Sequence, residues 1–226
     1  MSNFFNFLKS FWRKPKVIII TGEGRKSAFE AVSRVLKQHF KIGQELLIFE
    51  SGLKNLQELQ KIETLIKKSE SPIIITTHTS EIPADTISFG GDPDKLLEVS
   101  ELVKVLTLSG YLILNSDDEA VRDLEKKCPA RFLTFGFSER ADFIASDIKI
   151  NPVRELEDVS HLEKPDFSNG VKGGINFKIN YKGNTVPVWL ENKGGKEQIY
   201  SALATVAIGT ILGLNLVEIS QAFKRA

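Results

Sequence analysis

The sequence predicts an α/β fold of three layers, in which helices cover both faces of a mostly parallel sheet. From residue 17 onward, short apolar runs alternate with segments of helical periodicity. The runs are apolar at successive positions, as expected for strands that are buried on both faces. A glycine-rich turn directly follows the first run, at residues 22–24. With 226 residues, 42% of them hydrophobic, the chain can bury one core of this kind.

Each predicted element has its own signal. Apolar runs predict strands at residues 17–21, 46–49, 73–77, 111–114 and 132–135. Amphipathic periodicity predicts helices at residues 26–39, 56–68, 95–106 and 119–127. The polar stretch 151–174 indicates an irregular connection, followed by a hairpin with strands at 175–181 and 185–190. Two helices close the chain, and Gly213 is expected to cap the first before a helix over 216–223.

Composition excludes several classes of function. The net charge is +1, with 30 basic and 29 acidic residues, so no nucleic acid partner is expected. Cys128 is the single cysteine, which excludes an internal disulfide and a cysteine-rich zinc site. Three scattered histidines argue against a histidine metal cluster. No apolar run is long enough to span a bilayer, and we expect a cytoplasmic protein.

The first fifteen residues differ from the rest and are predicted to form a separate segment before a domain at 16–226. They combine aromatic and basic side chains with no acidic residue, and Phe4, Leu8, Phe11 and Trp12 share one helical face. Such an amphipathic helix can lie in a membrane interface, which would make the protein peripheral to the membrane. Packing on the domain or on a partner chain is the favoured alternative.

The glycine-rich turn has the layout of a nucleotide phosphate loop. A strand ending in Ile20 passes through Gly22 and Gly24 into a helix, so backbone N–H groups and the positive helix end point at one spot. Lys26 would reach the outer phosphates, and the Ser27 hydroxyl would ligate magnesium. The loop thus predicts a nucleotide as partner.

Two residues depart from that layout. Arg25 stands where glycine is expected, and its side chain enters a place where the backbone should approach phosphate bare. Glu23 adds a negative charge beside it. The loop is therefore expected to hold nucleotide weakly.

Two later segments complete a recognisable pattern. Residues 110–118 read GYLILNSDD, and residues 195–204 read GKEQIYSALA ahead of a Gly213-Leu214 pair. In this order behind the loop, they resemble the signatures of the Mur ligases, the ATP-dependent enzymes that add amino acids to the peptidoglycan precursor. Within that family the sequence is most similar to the UDP-N-acetylmuramoyl-tripeptide:D-alanyl-D-alanine ligases.

The resemblance covers residues 14–223 and implies the family's central ATPase domain, a phosphate-loop NTPase-like three-layer α/β fold with a small antiparallel hairpin. It implies ATP and Mg²⁺ as cofactors, with Ser27 on the metal and with Asn115 and Asp117 near adenine and ribose. The residues that it assigns to nucleotide binding are Gly22, Gly24, Arg25, Lys26, Ser27, Asn115, Asp117 and Gln198. It assigns no catalytic residue.

Several departures from the family pattern point to a weakened site. Besides Arg25, Glu197 stands in the place of a family histidine. We find no match for the family's magnesium-binding glutamate after the third strand, nor for its metal-holding lysine. The N-terminal and C-terminal domains of the family have no counterpart in this sequence. The expectation is a weak nucleotide binder or a pseudoenzyme.

Three functional hypotheses stay open. The chain could be an ATP-binding subunit that completes its site with a separate ligase chain, or a non-catalytic scaffold held at a membrane surface through residues 4–12. An unrelated nucleotide kinase is the third. Locally, Asp117 and Asp118 could simply cap the helix that follows them. His78 could be a metal ligand or a hydrogen-bonded histidine at a strand end.

Overall fold

A computed structural model describes residues 14–53, 55–83, 86–151, 174–191 and 195–224. The predicted membrane or packing segment at 1–15 therefore lies almost entirely outside the described residues. Among the helices of the described ranges, none combines the length and apolar composition that crossing a membrane requires.

The strands of the described residues form one mixed sheet. In chain order they are β1 Lys16–Thr21, β2 Leu46–Glu50, β3 Pro72–Thr76, β4 Tyr111–Asn115, β5 Arg131–Gly136, β6 Phe143–Asn151, β7 Gly174–Tyr181 and β8 Asn184–Leu190. Their order across the sheet is β2-β1-β3-β4-β5-β6-β7-β8. Neighbouring strands from β2 to β6 in this order pair in parallel. Strand β7 pairs antiparallel with both β6 and β8.

The helices lie on both faces of this sheet. They are α1 Arg25–Leu36, α2 Leu56–Lys68, α3 Pro93–Lys104, α4 Glu119–Arg122, α5 Lys196–Ile211 and α6 Leu216–Lys224. Side chains of β1 alternate between two cores, because successive residues of a strand point to opposite faces. Ile18 and Ile20 join the core under α1, α5 and α6, whereas Val17 and Ile19 join the core under α2, α3 and α4. The three-layer prediction is confirmed.

Helix α5 is the central helix of its layer. Its residues from Ile199 to Gly209 are all buried, so the helix is covered on every side rather than along one stripe. Its N-terminal turn reaches the end of the sheet where β1, β3 and β4 terminate. The helix thereby carries residues from late in the chain to the loops that follow the early strands.

Most predicted elements are confirmed to within two or three residues. The five early strands and the helix at 56–68 lie where predicted, although α1 ends at Leu36 instead of at residue 39. In the hairpin, Lys182 and Gly183 have φ of 48° and 78°, as a two-residue turn requires. Gly213, at φ 94°, ends α5 as expected.

Two assignments were wrong. The helix predicted over 119–127 is only α4, followed by one 3₁₀ turn at Glu125–Lys127. Strand β6 was not predicted at all. Its pairing register with β7 shifts between Ser146 and Lys149, and Asp147 has φ 52°. This irregularity breaks the two-residue alternation by which a strand is identified in a sequence.

Asp118 joins two of the loops at the carboxyl end of the sheet. It is completely buried and caps α4, accepting a hydrogen bond from Ala120 N at 3.0 Å. Its other oxygen accepts from the backbone N and the hydroxyl of Thr79, at 2.7 and 2.8 Å. The alternative that Asp118 caps the following helix is therefore confirmed. Asp118 also links the segment that follows β3 to the segment that follows β4.

We predict that Asp118→Ala lowers the free energy of unfolding by roughly 3 kcal/mol or more, because three buried donors lose a charged acceptor. Asp92→Ala is the matched control, since Asp92 caps α3 at the surface and its loss should cost about 1 kcal/mol. Urea unfolding of both variants measures the difference. Equal losses would show that the buried link between the loops contributes nothing.

Candidate functional site

The topology of the sheet marks one place as a crevice. Strand β1 lies between β2 and β3, and the chain leaves β1 on one side to form β2 and returns on the other to form β3. In open parallel sheets, ligands bind outside the carboxyl ends of the strands at such a switch point. Here the segments that follow β1 and β3 are residues 22–27 and 77–79. The predicted phosphate loop thus stands at the switch point.

The loop is held tightly against the end of β3. Glu23 N donates to His78 O at 2.8 Å, and Thr77 N donates to Thr21 O at 3.0 Å. Gly22 has φ 102°, and a Cβ there would lie 2.5 Å from Thr77 Oγ1 and 2.6 Å from His78 O. A Cβ on Gly24 would lie 2.5 Å from the His78 ring. Both predicted glycines are therefore required by the approach of the loop to β3.

The first turn of α1 presents unpaired backbone donors. Gly24 is the N-cap residue, and no side chain caps the helix. Within the described residues, the N–H groups of Gly24, Arg25, Lys26 and Ser27 have no hydrogen-bond acceptor. Four such donors at the positive end of a helix dipole have the chemistry that favours an anion.

The charged side chains of the loop have different environments. Lys26 is exposed and makes no ion pair within the described ranges. The Arg25 guanidinium donates to Gly22 O at 2.9 Å, so it bonds the loop's own backbone. Glu23 pairs with Lys95 on α3, and the hydrogen bond from Lys95 holds the pKa of Glu23 below its ordinary value. The Lys95 ammonium therefore lies next to the negative charge that Glu23 adds beside the loop.

Ser27 contacts a residue that is far from it in the sequence. Its hydroxyl donates to Glu197 Oε1 at 2.6 Å, across 170 residues of chain. Glu197 lies in the first turn of α5, next to Lys196. The Lys196 ammonium donates to Pro83 O at 2.8 Å and to Thr86 O at 2.7 Å, which fixes the start of α5 against the loop after β3.

Asn115 and Asp117 lie together at the end of β4, where they organise the neighbouring backbone. Asn115 is completely buried; its oxygen accepts from Asp117 N at 3.0 Å, and its Nδ2 has no acceptor within the described residues. The Asp117 carboxylate accepts from Phe137 N at 2.7 Å, Ser138 N at 3.1 Å and Tyr200 Oη at 2.9 Å. Burial is the main cause that raises the pKa of the Tyr200 hydroxyl, and the charge of Asp117 raises it further. The hydroxyl therefore stays protonated and donates its hydrogen bond to Asp117. Asp117 therefore holds α5 and the β5–β6 loop in place.

A cleft of about 530 Å³ is lined in part by Asp117. Its walls include Ser116, Thr134, Phe137 and Arg140. No residue of the loop at 22–27 lines it, so the cleft is distinct from that loop. The remaining predicted residue, Gln198, is half-buried one position after Glu197, and its amide group makes no hydrogen bond within the part of the chain described.

His78 lies beneath the loop. It is 4% exposed, burial lowers its pKa, and its Nδ1 has no partner in the described residues. No cluster of three or more histidine, cysteine, aspartate or glutamate side chains in the described ranges could hold a metal by itself. The His78 ring lies close to Gly24, where a Cβ would come within 2.5 Å of it.

The structure is a three-layer α/β domain with a glycine-rich loop after its first strand, and comparison with known proteins gives its relatives. No protein-family model matches the chain. The UDP-N-acetylmuramate–L-alanine ligase of Dictyoglomus turgidum is 23% identical over 234 residues, which cover 97% of this chain and 45% of that protein. MurF from Acinetobacter baumannii has a TM-score of 0.70 at 18% identity, over 97% of this chain and 47% of that one. MurF ligase from Thermotoga maritima, in complex with ADP, has a TM-score of 0.63 at 15% identity, with coverages of 93% and 48%.

These comparisons relate the chain to the Mur ligase family and confirm the fold that the resemblance implied. The chain spans about half the length of these relatives. The sequence relative is named as a UDP-N-acetylmuramate–L-alanine ligase, whereas the two solved structures described above are both MurF.

We predict that Gly22→Ala destabilises the protein by at least about 2 kcal/mol more than Gly43→Ala. Both glycines have positive φ, 102° and 89°, so both variants suffer similar backbone strain. Only at Gly22 does the new methyl group overlap the end of β3, since nothing lies within 4 Å of a Cβ on Gly43. Urea unfolding measures both, and equal losses would mean that the loop is not pressed against β3.

Proposed function

We propose that this chain binds ATP with Mg²⁺ through residues 22–27 and serves the nucleotide step of an ATP-dependent, ADP-forming amide ligation in peptidoglycan precursor synthesis. The observation that carries the proposal is the set of four unpaired N–H groups at the start of α1, next to Lys26 and Ser27 and at the switch point of the sheet. An anionic phosphate chain matches the donors and the charge of this place.

The related proteins support the choice of ligand and reaction. One solved neighbour is described as a complex with ADP, and the sequence relative is named as a ligase that joins L-alanine to UDP-N-acetylmuramate. Because the chain spans about half of each, we extend to it only the nucleotide step. The acceptor and the amino acid are not assigned, and no residue is given a catalytic role.

The residues present fit a magnesium nucleotide. In the proposal, Lys26 holds the outer phosphates, and the unpaired N–H groups bind their oxygens. Ser27 offers its hydroxyl to the metal, which when bound neutralises phosphate charge. Within the described residues, neither Asn115 Nδ2 nor the Gln198 amide group has a hydrogen-bond partner, and these two groups are the candidates for contacts with the nucleoside.

We propose that the affinity is weak, as the departures in the sequence predict, and that ligation requires groups beyond the described residues. The Arg25 side chain remains bonded to the loop carbonyl, and Glu197 adds a carboxylate beside Ser27. A carboxylate near the phosphates repels them unless a cation lies between. Binding should therefore depend strongly on Mg²⁺.

We predict that Lys26→Ala weakens MgATP binding by roughly tenfold to a hundredfold, because a charged hydrogen bond to phosphate is lost. Lys37→Ala is the control, since Lys37 is also exposed but lies at the other end of α1. Isothermal titration calorimetry measures both dissociation constants.

If the unmodified protein gives no heat with MgATP, or if Lys26→Ala and Lys37→Ala bind alike, the proposed function fails. The scaffold hypothesis then takes its place.

A further inference from the structure

Ser27 and Glu197 are in direct contact at the glycine-rich loop. A glutamate on α5 accepts a hydrogen bond of 2.6 Å from the hydroxyl that the phosphate loop offers to a metal. Within the described residues, no lysine or arginine forms an ion pair with Glu197. A carboxylate and a hydroxyl thus face each other at the mouth of the loop, and the carboxylate's charge is not balanced by a paired cation.

Such a pair has the chemistry of a magnesium site. Mg²⁺ takes oxygen ligands in a near-octahedral shell at 2.0–2.1 Å, so neighbouring ligand oxygens lie about 3 Å apart. The 2.6 Å between Ser27 Oγ and Glu197 Oε1 is a hydrogen-bond distance, and it places the two oxygens close enough for one metal ion to contact both. Phosphate-loop enzymes commonly hold the metal with the loop hydroxyl and an acidic side chain, while the nucleotide's phosphates complete the shell.

The first turn of α5 is fixed in a position that keeps Glu197 there. Lys196, one residue before, bonds two backbone carbonyls of the loop after β3. Tyr200, one turn later, donates to the buried Asp117. The helix cannot rotate without breaking these bonds, so the position of the Glu197 backbone is set by contacts on both sides of it.

We infer that Glu197 is a direct ligand of the Mg²⁺ that accompanies the nucleotide, together with Ser27. The inference rests on the proposed function. It explains how a chain in which we find no match for the family's magnesium-binding glutamate could still supply a carboxylate: the acid comes from α5, at the position where the resemblance has a histidine.

The test compares ATP binding with Mg²⁺ and with EDTA for three proteins: the unmodified chain, Glu197→Gln and Glu63→Gln. Glutamine keeps an acceptor for Ser27 but is a poor metal ligand. Glu63 lies on α2, where its side chain is 35% exposed and pairs with Lys67, and it provides the charge-matched control. Calorimetry gives the ratio of dissociation constants without and with metal, and urea unfolding verifies that each variant is folded.

We expect Glu197→Gln to reduce that ratio roughly tenfold or more. Binding in EDTA should be unchanged or tighter, since a negative charge next to the phosphates is removed. Glu63→Gln should behave like the unmodified protein.

If the unmodified protein binds MgATP and Glu197→Gln keeps the same metal dependence, Glu197 only accepts the Ser27 hydrogen bond, and the inference falls while the proposed function stands. If none of the three proteins binds ATP under either condition, the proposed function fails and the inference with it.

Discussion

The site depends on the close contact between the loop after β1 and the backbone at the end of β3. Two backbone hydrogen bonds, Thr77 N to Thr21 O and Glu23 N to His78 O, hold the loop down. The absence of a Cβ at Gly22 allows the approach. Because the chain enters α1 directly from this loop, the same contact aims the unpaired N–H groups of the helix at the crevice between β1 and β3.

Around that contact, buried polar residues connect the ends of neighbouring strands. Asp118 accepts a hydrogen bond from Thr79 and so links the segments that follow β3 and β4. Asp117, at the end of β4, accepts hydrogen bonds from the β5–β6 loop and from Tyr200 of α5. Each carboxylate is buried and has at least three donors, which offsets the cost of removing it from water. These aspartates act on the site by fixing the elements that carry it.

The sequence was informative where the pattern is local. Strands such as β1 and β3 are buried on both faces and show as unbroken apolar runs, and Gly22 and Lys26 are only four residues apart in the sequence. Strand β6 was missed because its pairing register shifts and breaks the alternation. The pairing of Ser27 with Glu197 joins residues 170 positions apart, and only the packing of α5 on the sheet brings them together. The family resemblance placed Glu197 at the position of a histidine but did not indicate what it would contact.

The central claim is that the N–H groups that begin α1 bind the phosphates of a magnesium nucleotide. The most direct measurement is a titration with MgADP, followed by the ¹⁵N–¹H shifts of the backbone amides. We expect the largest shifts at Gly24, Arg25, Lys26 and Ser27. Shifts confined to the cleft around Phe137 and Arg140, or no shifts at all, would contradict the account.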